Sequence, residues 1–112
     1  MAFKGDLEAM VLGVLQDGDL HGYEISKRIK QVGAKALQVW EGQLYPALHK
    51  LERDGYVSAT WVQQEGKPPR KVYSLTDEGK KELTARHRSW QEFSLAIEEV
   101  MSPRKAATNG VQ

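Results

Sequence analysis

The sequence predicts an α+β fold that is mainly α-helical, with its elements in the order helix, helix, helix, strand, strand, helix. Three observations predict it. Apolar residues recur at helical spacing in four segments, within residues 7–15, 25–32, 44–51 and 83–101. Two β-branched and aromatic stretches lie between the third and fourth of these segments. A length of 112 residues with 40% apolar residues allows one compact domain plus an appendage.

The first two helices are predicted from their apolar stripes. The first stripe has the i, i+3, i+4, i+7, i+8 spacing of an amphipathic helix and consists of Leu7, Met10, Val11, Val14 and Leu15. We expect Asp6 to be its N-cap and residues 17–18 to end it. The second helix is expected to begin at residues 21–24 and to end at Gly33. Its predicted inner positions are Ile25, Ile29 and Val32.

The third helix carries apolar residues on one face only, namely Leu44, Leu48 and Leu51. A proline disrupts a helix interior but is tolerated in the first turn, where its missing N–H is no loss. We therefore expect Pro46 in the first turn, a helix start near Gly42 and an end at residues 54–55. The face opposite the leucines is polar and consists of Gln43, Pro46, His49, Lys50 and Arg53.

A β-hairpin is predicted after the third helix. Its strands are expected over residues 56–63 and 71–75, with a loop of about eight polar residues between them. Residues 67–71 hold three cations and no acid, namely Lys67, Arg70 and Lys71. Pro68 and Pro69 are expected to stiffen this loop, so that the cations are partly fixed in position. A cationic hairpin suits a polyanion, but charge also keeps ordinary hairpins soluble.

A long last helix is predicted from an N-cap at Thr76 to about Met101. Its roughly 25 residues correspond to about 37 Å. Its apolar positions form a heptad-like seam that consists of Leu83, Trp90, Phe93, Ile97, Val100 and Met101. Because a small domain cannot cover so long a stripe, the sequence predicts pairing with a second copy in a homodimer. The small and polar tail, residues 102–112, is expected to be frayed and flexible.

The three tryptophans have different sequence contexts. Trp40 and Trp61 are expected in the core or at a helix junction. Trp90 lies on the seam of the last helix, and two interpretations stay open for it. It packs in the dimer interface, or it lines a hydrophobic cavity for a flat apolar ligand together with Phe93 and Ile97.

Composition and motifs argue against several functional classes. The chain has no cysteine, which excludes disulfides and thiolate zinc sites. His21, His49 and His87 lie in different elements without acidic residues at ligand spacing, so no metal or other cofactor is predicted. No phosphate-binding glycine loop or nucleophile motif is present, so an enzyme is not expected. Without a signal peptide or a long apolar run, a cytoplasmic location is expected and a membrane partner is not.

The exposed chemistry indicates binding to double-stranded DNA. The net charge is only +1, so the argument depends on local clustering of cations and not on total charge. A polar helix suits the major groove, and a basic hairpin suits the minor groove or its phosphates. A dimer would set two such helices about 34 Å apart and predicts an inverted-repeat operator. The predicted DNA-binding residues are Gln43, Tyr45, Pro46, His49, Lys50, Arg53, Lys67, Arg70, Lys71, Tyr23 and Lys27.

This interpretation divides the chain into a winged helix-turn-helix domain, residues 1–76, a dimerisation helix, residues 77–101, and a flexible tail, residues 102–112. Two other functions stay open. One is a winged-helix module that binds proteins and has no DNA role. The other is a dimer that binds small molecules with little regulatory activity.

Four blocks of the sequence resemble the PadR-like transcriptional regulators. They are Leu7 to Leu15, His21-Gly22-Tyr23-Glu24-Ile25, the stretch from Gly42-Gln43-Leu44-Tyr45-Pro46 to Gly55-Tyr56-Val57, and Arg70-Lys71-Val72-Tyr73-Ser74-Leu75-Thr76. The resemblance implies a dimeric bacterial winged-helix repressor with helix 42–54 in the major groove, the wing of residues 64–71 near the minor groove and dimerisation through the last helix. It implies DNA contacts for Tyr45 and the wing cations. The single short C-terminal helix resembles the compact subfamily, some members of which respond to planar aromatic drugs through a tryptophan at the place of Trp90.

Overall fold

The computed structural model describes residues 6–33, 37 and 39–103. These residues form four helices and a three-stranded sheet, which confirms the predicted mainly helical α+β class. The elements in chain order are α1 (Asp6–Leu15), β1 (Leu20–His21), α2 (Gly22–Val32), α3 (Glu41–Arg53), β2 (Val57–Gln64), β3 (Lys67–Leu75) and α4 (Asp77–Met101). Asp6, predicted as a cap, is already helical. Most of the predicted tail lies outside the described residues.

The sheet contains a strand that the sequence did not predict. β1 is only two residues long and pairs antiparallel with β3, with Leu20 opposite Tyr73 and His21 opposite Val72. The strand order is β1-β3-β2, so β3 is central. Two residues are too few to show an alternating pattern, so a strand of this length has no signal in the sequence. β1 attaches the start of α2 to the hairpin.

The core lies between α1, α2, α3 and one face of the sheet. Its buried members are Val11, Leu12, Leu15, Ile25, Ile29, Leu44, Leu48, Leu51, Val57 and Tyr73. Each fully buried aliphatic side chain of this kind stabilises the fold by roughly 1.5–3 kcal/mol. The predicted inner residue Val32 is 73% exposed, because it lies at the last position of α2, beyond the end of the core.

Helix α3 begins slightly earlier than the sequence predicted. Its N-cap is Trp40, and the first i to i−4 hydrogen bond runs from the N–H of Leu44 to the carbonyl oxygen of Trp40 at 2.9 Å. Pro46 is therefore the sixth helical residue and lies in the second turn, so its predicted first-turn position is wrong. The carbonyl of Gly42 loses its i to i−4 donor as a result. Pro46 is exposed, so its ring lies on the solvent side of the helix.

The hairpin closes with a tight turn and not with the predicted long loop. β2 and β3 are joined by Glu65 and Gly66 alone, and Gly66 has a φ of 72°, which glycine adopts without strain. The register shifts between Val62 and Gln64, opposite Pro68 and Pro69. Prolines cannot donate to a ladder, and an irregularity of this kind accommodates them. The cations therefore lie along β3, where the strand pairing fixes the backbone.

Helix α4 has the predicted bounds and the predicted cap. Thr76 Oγ1 accepts a hydrogen bond from the N–H of Gly79 at 3.0 Å. Arg86 ties α4 to the rest of the domain: its Nη1 lies 2.8 Å from Oε1 of Glu8 in α1, and its Nε lies 2.6 Å from Oε2 of Glu82. Among the described residues, no helix is both long enough and apolar enough to cross a membrane.

The predicted core positions of two tryptophans are wrong. Trp40 is 63% exposed and Trp61 is 65% exposed. Trp40 is the N-cap of α3, and its neighbour Val39, not Trp40, packs against the core. Trp61 lies in the outer half of β2, directly opposite Lys71 in the strand register. An aromatic residue on a strand is usually half-buried, but burial depends on what covers that part of the strand.

Candidate nucleic-acid interface

The polar face of α3 is exposed, as the sequence predicted. Leu44, Leu48 and Leu51 are buried on the opposite side, and this anchors the helix with a fixed rotation about its axis. The exposed side chains on the outer face are Gln43, Pro46, His49, Lys50 and Arg53. A rigid helix with such a face presents hydrogen-bonding and cationic groups to a partner without loss of core packing.

Some of these side chains already have intramolecular partners. Oε1 of Gln43 accepts a long hydrogen bond of 3.4 Å from the N–H of Trp40, so its NH₂ group points elsewhere. Lys50 Nζ lies 2.9 Å from Oδ2 of Asp54 one turn later. This hydrogen bond raises the pKa of Lys50 and lowers the pKa of Asp54. Because both groups are exposed, the pair can exchange for contacts with a polyanion at little cost.

Tyr45 is held at the junction of α2 and α3. Its side chain is 38% exposed, and its ring edge lies against Gly22, the first residue of α2. A Cβ atom at Gly22 would lie 2.7 Å from the Tyr45 hydroxyl oxygen and 2.9 Å from its Cε1. Glycine is therefore needed at position 22 for the tyrosine to lie there. Sequence reasoning assigned Gly22 no part in the site, although it lies in the His21-Gly22-Tyr23-Glu24 block.

The wing cations fall into two groups. Lys67 and Arg70 are exposed, and no carboxylate in the described part of the chain forms an ion pair with either. Lys71 differs, because its Nζ lies 3.2 Å from Oε1 of Glu52 in α3 and its side chain is 28% exposed. The hydrogen bond to Glu52 raises the pKa of Lys71. The sequence placed all three cations together, and the structure separates Lys71 from the other two.

Two predicted residues of α2 are exposed near the start of that helix. Tyr23 is 63% exposed, and its ring stacks on His21 with centroids 6.4 Å apart. Lys27 follows one turn later and is also exposed. His21 interacts with Glu24, its Nε2 lying 3.4 Å from the carboxylate. Among the described residues, no three His, Cys, Asp or Glu side chains are grouped to hold a metal ion.

Helix α4 presents an apolar surface in its second half. Trp90 is 43% exposed, and its ring lies 5.8 Å from that of Phe93. Phe93 and Ile97 are half-buried, and Val100 and Met101 are at least 70% exposed. Leu83, predicted on the same seam, packs against the core of its own chain. Leu95, which the seam did not include, is 64% exposed.

A three-helix core with an exposed recognition-type helix and an adjoining two-stranded wing defines a winged helix-turn-helix protein. The sequence matches the family described as "Transcriptional regulator PadR-like family" over residues 11–85. This match covers more than half of the chain, which therefore belongs to the PadR-like family, as the sequence blocks predicted. The family and the relatives that this chain matches are described as transcriptional regulators.

Similar proteins agree with this assignment. The negative transcriptional regulator PadR of Bacillus subtilis is 36% identical over 77 residues, which are 69% of this chain and 42% of that protein. The chain thus matches less than half of the length of this relative. A transcriptional regulator from Clostridium thermocellum has a solved structure with a TM-score of 0.82 and 30% identity, covering 89% of this chain and 97% of that one. A PadR-like transcription factor from Bacteroides fragilis has a TM-score of 0.73 and 33% identity over 87% and 91% of the two chains.

Proposed function

We propose that this regulator is a repressor that binds an inverted-repeat operator as a homodimer, with α3 in the major groove and the β2–β3 wing at the minor groove. The observation that carries the proposal is the position of the wing beside the polar face of α3. An ion pair joins α3 to the wing, with Nζ of Lys71 lying 3.2 Å from Oε1 of Glu52. One duplex can therefore meet both elements at once.

The proposed contacts divide by chemistry. Near the start of α3, Gln43, Tyr45 and Pro46 are placed to meet base edges or sugars, since the first turns of a recognition helix enter the groove. Farther along, His49, Lys50 and Arg53 supply phosphate contacts. On the wing, Lys67 and Arg70 have no ion pair with any described residue and are the main minor-groove or phosphate contacts. Tyr23 and Lys27 extend the phosphate-binding surface from α2.

The homodimer is proposed from the second half of α4. Its apolar side chains at heptad-like spacing lie on one face of the helix, and a second copy would cover that face by symmetric packing. The proposed interface residues are Trp90, Phe93, Ile97, Val100 and Met101, with Leu83 at its edge. In this arrangement residues 1–76 act as the DNA-binding domain, residues 77–101 as the dimerisation helix, and residues 102–112 as a tail.

The regulatory role of the protein is proposed from two features. The Bacillus subtilis relative is a negative transcriptional regulator, which favours repression here as well. Trp90 and Phe93 present a tilted aromatic pair at the proposed interface, and Ile97 lies one turn beyond Phe93. Two such sets facing each other would offer stacking surfaces to a flat aromatic effector. Binding there would change the separation of the two α3 helices and hence operator affinity.

Salt-dependent binding to the DNA upstream of the protein's own gene tests the DNA assignment. We expect the double variant Lys67→Ala/Arg70→Ala to bind more weakly and to lower the slope of log K against log salt by about 0.9 for each phosphate that is no longer neutralised. Lys80→Ala/Lys81→Ala is the matched control. It removes the same charge from exposed positions in the first turns of α4 and should leave the slope unchanged.

A result in which both double variants behave like the unchanged protein would refute the wing assignment. No retardation of any promoter fragment would instead support a protein-interaction module.

The mass of the unchanged protein in analytical ultracentrifugation tests the homodimer. Trp90→Ala then tests the effector site: loss of dye-induced fluorescence quenching with retention of the dimer supports it, whereas loss of the dimer makes Trp90 a structural residue.

A further inference from the structure

An ion pair connects the recognition helix to the wing. Glu52 lies in the last turn of α3, and Lys71 lies in the middle of β3, 19 residues later. Their Nζ–Oε1 distance is 3.2 Å, and the side chains are 37% and 28% exposed, respectively. This position is where the hairpin leaves the core, with Tyr73 buried on one side and the exposed wing on the other.

Aromatic rings flank the lysine of this pair. Lys71 Nζ lies 5.6 Å from the centroid of the Tyr73 ring and 6.0 Å from that of Trp61. Trp61 is directly opposite Lys71 in the strand register, so the two side chains project from the same face of the sheet, toward α3. The electron-rich faces of these two rings attract the ammonium group of a lysine. A lysine in this position can also pack its alkyl chain against the rings. The contacts of Lys71 are therefore directed inward.

We propose that Glu52 and Lys71 form a brace that sets the distance between α3 and the wing, and that Lys71 is a positioning residue and not a phosphate contact. This rests on the proposed DNA-binding function. A two-stranded hairpin that extends beyond its core is marginally stable by itself. The brace fixes its base, while Lys67 and Arg70 carry the phosphate contacts. Lys71 also neutralises a carboxylate that would otherwise face the DNA backbone between the two grooves.

The Glu52→Gln variant distinguishes a brace from a DNA-binding lysine by the sign of its effect. If Lys71 contacts phosphate, the loss of Glu52 frees the lysine, and DNA affinity rises. If the pair is a brace, the wing loses its anchor, and we expect affinity to fall about tenfold. Glu41→Gln is the control for charge removal, because Glu41 is an exposed acid on the same helix with no ion pair in the described part of the chain.

The salt dependence of Lys71→Met gives a second readout. We expect about tenfold weaker binding with an unchanged slope of log K against log salt, whereas Arg70→Met should lower the slope by about 0.9 for each phosphate that Arg70 neutralises. The charge swap Glu52→Lys/Lys71→Glu should restore part of the affinity, since it rebuilds the pair in reverse. A reduced slope for Lys71→Met, or higher affinity for Glu52→Gln than for Glu41→Gln, overturns the brace.

Wing mobility in the free protein tests the brace without DNA. Backbone amide relaxation by NMR should show larger fast motions in residues 62–70 of Lys71→Met than in the unchanged protein, and recovery in the charge swap. Unchanged wing mobility overturns the brace even if DNA binding is weakened. If no variant or parent protein binds DNA but the wing loosens as expected, the proposed function fails and the structural brace stands alone.

Discussion

Substitution of Gly79 by alanine should destabilise the protein, although alanine normally stabilises a helix. Gly79 is buried in the first turn of α4, where an added Cβ would overlap the carbonyl oxygen of Tyr56 and lie 2.7 Å from Cδ1 of Leu75. That carbonyl cannot yield freely, because it accepts the N–H of Thr76 at 3.1 Å. Overpacking against fixed backbone costs about 3 kcal/mol, and a weakened backbone hydrogen bond costs about 1 kcal/mol.

The gain from helix propensity is at most about 1 kcal/mol, so the net loss in the free energy of unfolding is about 3 kcal/mol. For a domain of this size the midpoint of thermal unfolding should fall by roughly 12 °C, measured by circular dichroism at fixed protein concentration. Gly13→Ala is the matched control, since Gly13 lies inside α1 with nothing within 4 Å of an added Cβ. It should gain up to about 1 kcal/mol. If Gly79→Ala is as stable as the parent protein, the proposed packing of α4 on the hairpin is wrong.

Three further predictions follow from particular contacts. Gly22→Ala should displace the ring of Tyr45 and thereby weaken DNA binding. In a Tyr45→Ala background the same substitution should have little further effect. A double-mutant cycle of DNA affinity and thermal stability measures this coupling. Arg86→Met should lower the free energy of unfolding by about 2 kcal/mol in urea titrations, because two neighbouring carboxylates lose their shared partner and are only partly hydrated. Burial raises the pKa of Tyr73, so its stabilising contribution is present below the unfolded pKa of about 10 and is lost as the pH rises further. Tyr73→Phe should therefore reduce the loss of stability at alkaline pH, measured by urea titrations at increasing pH.

The elements with strong local signals were predicted well from the sequence. The bounds of α4 and its Thr76 cap follow from a polar N-cap residue, acids in the first turn and a long apolar repeat, all of which act within a few residues. The end of α3 at Arg53 follows from the Asp54-Gly55 stop. The exposed face of α3 was also predicted, since three buried leucines fix which side is left to solvent.

Features that depend on contacts between distant residues were not predicted. β1 forms because Leu20 and His21 pair with β3, and the two residues by themselves do not indicate a strand. The tight turn and the register shift opposite Pro68 and Pro69 depend on how the two strands pair, and the prolines suggested a loop instead. The exposure of Trp61 depends on how other parts of the chain pack against β2, which no local pattern records.

The candidate nucleic-acid interface also combines features that the sequence predicts with features that only the tertiary structure shows. Sequence alone identified the family, the polar helix, the cationic wing and the apolar last helix, because each is encoded by residue types at short spacing. Tertiary structure alone decided which of these residues already have partners: Lys71 is bound to Glu52 while Arg70 has no ion pair within the described residues, and Gly22 makes room for Tyr45. The physical reason is that a charge or a ring is attracted to whatever the fold places within a few ångströms, and separations of 19 and 23 residues carry no local pattern.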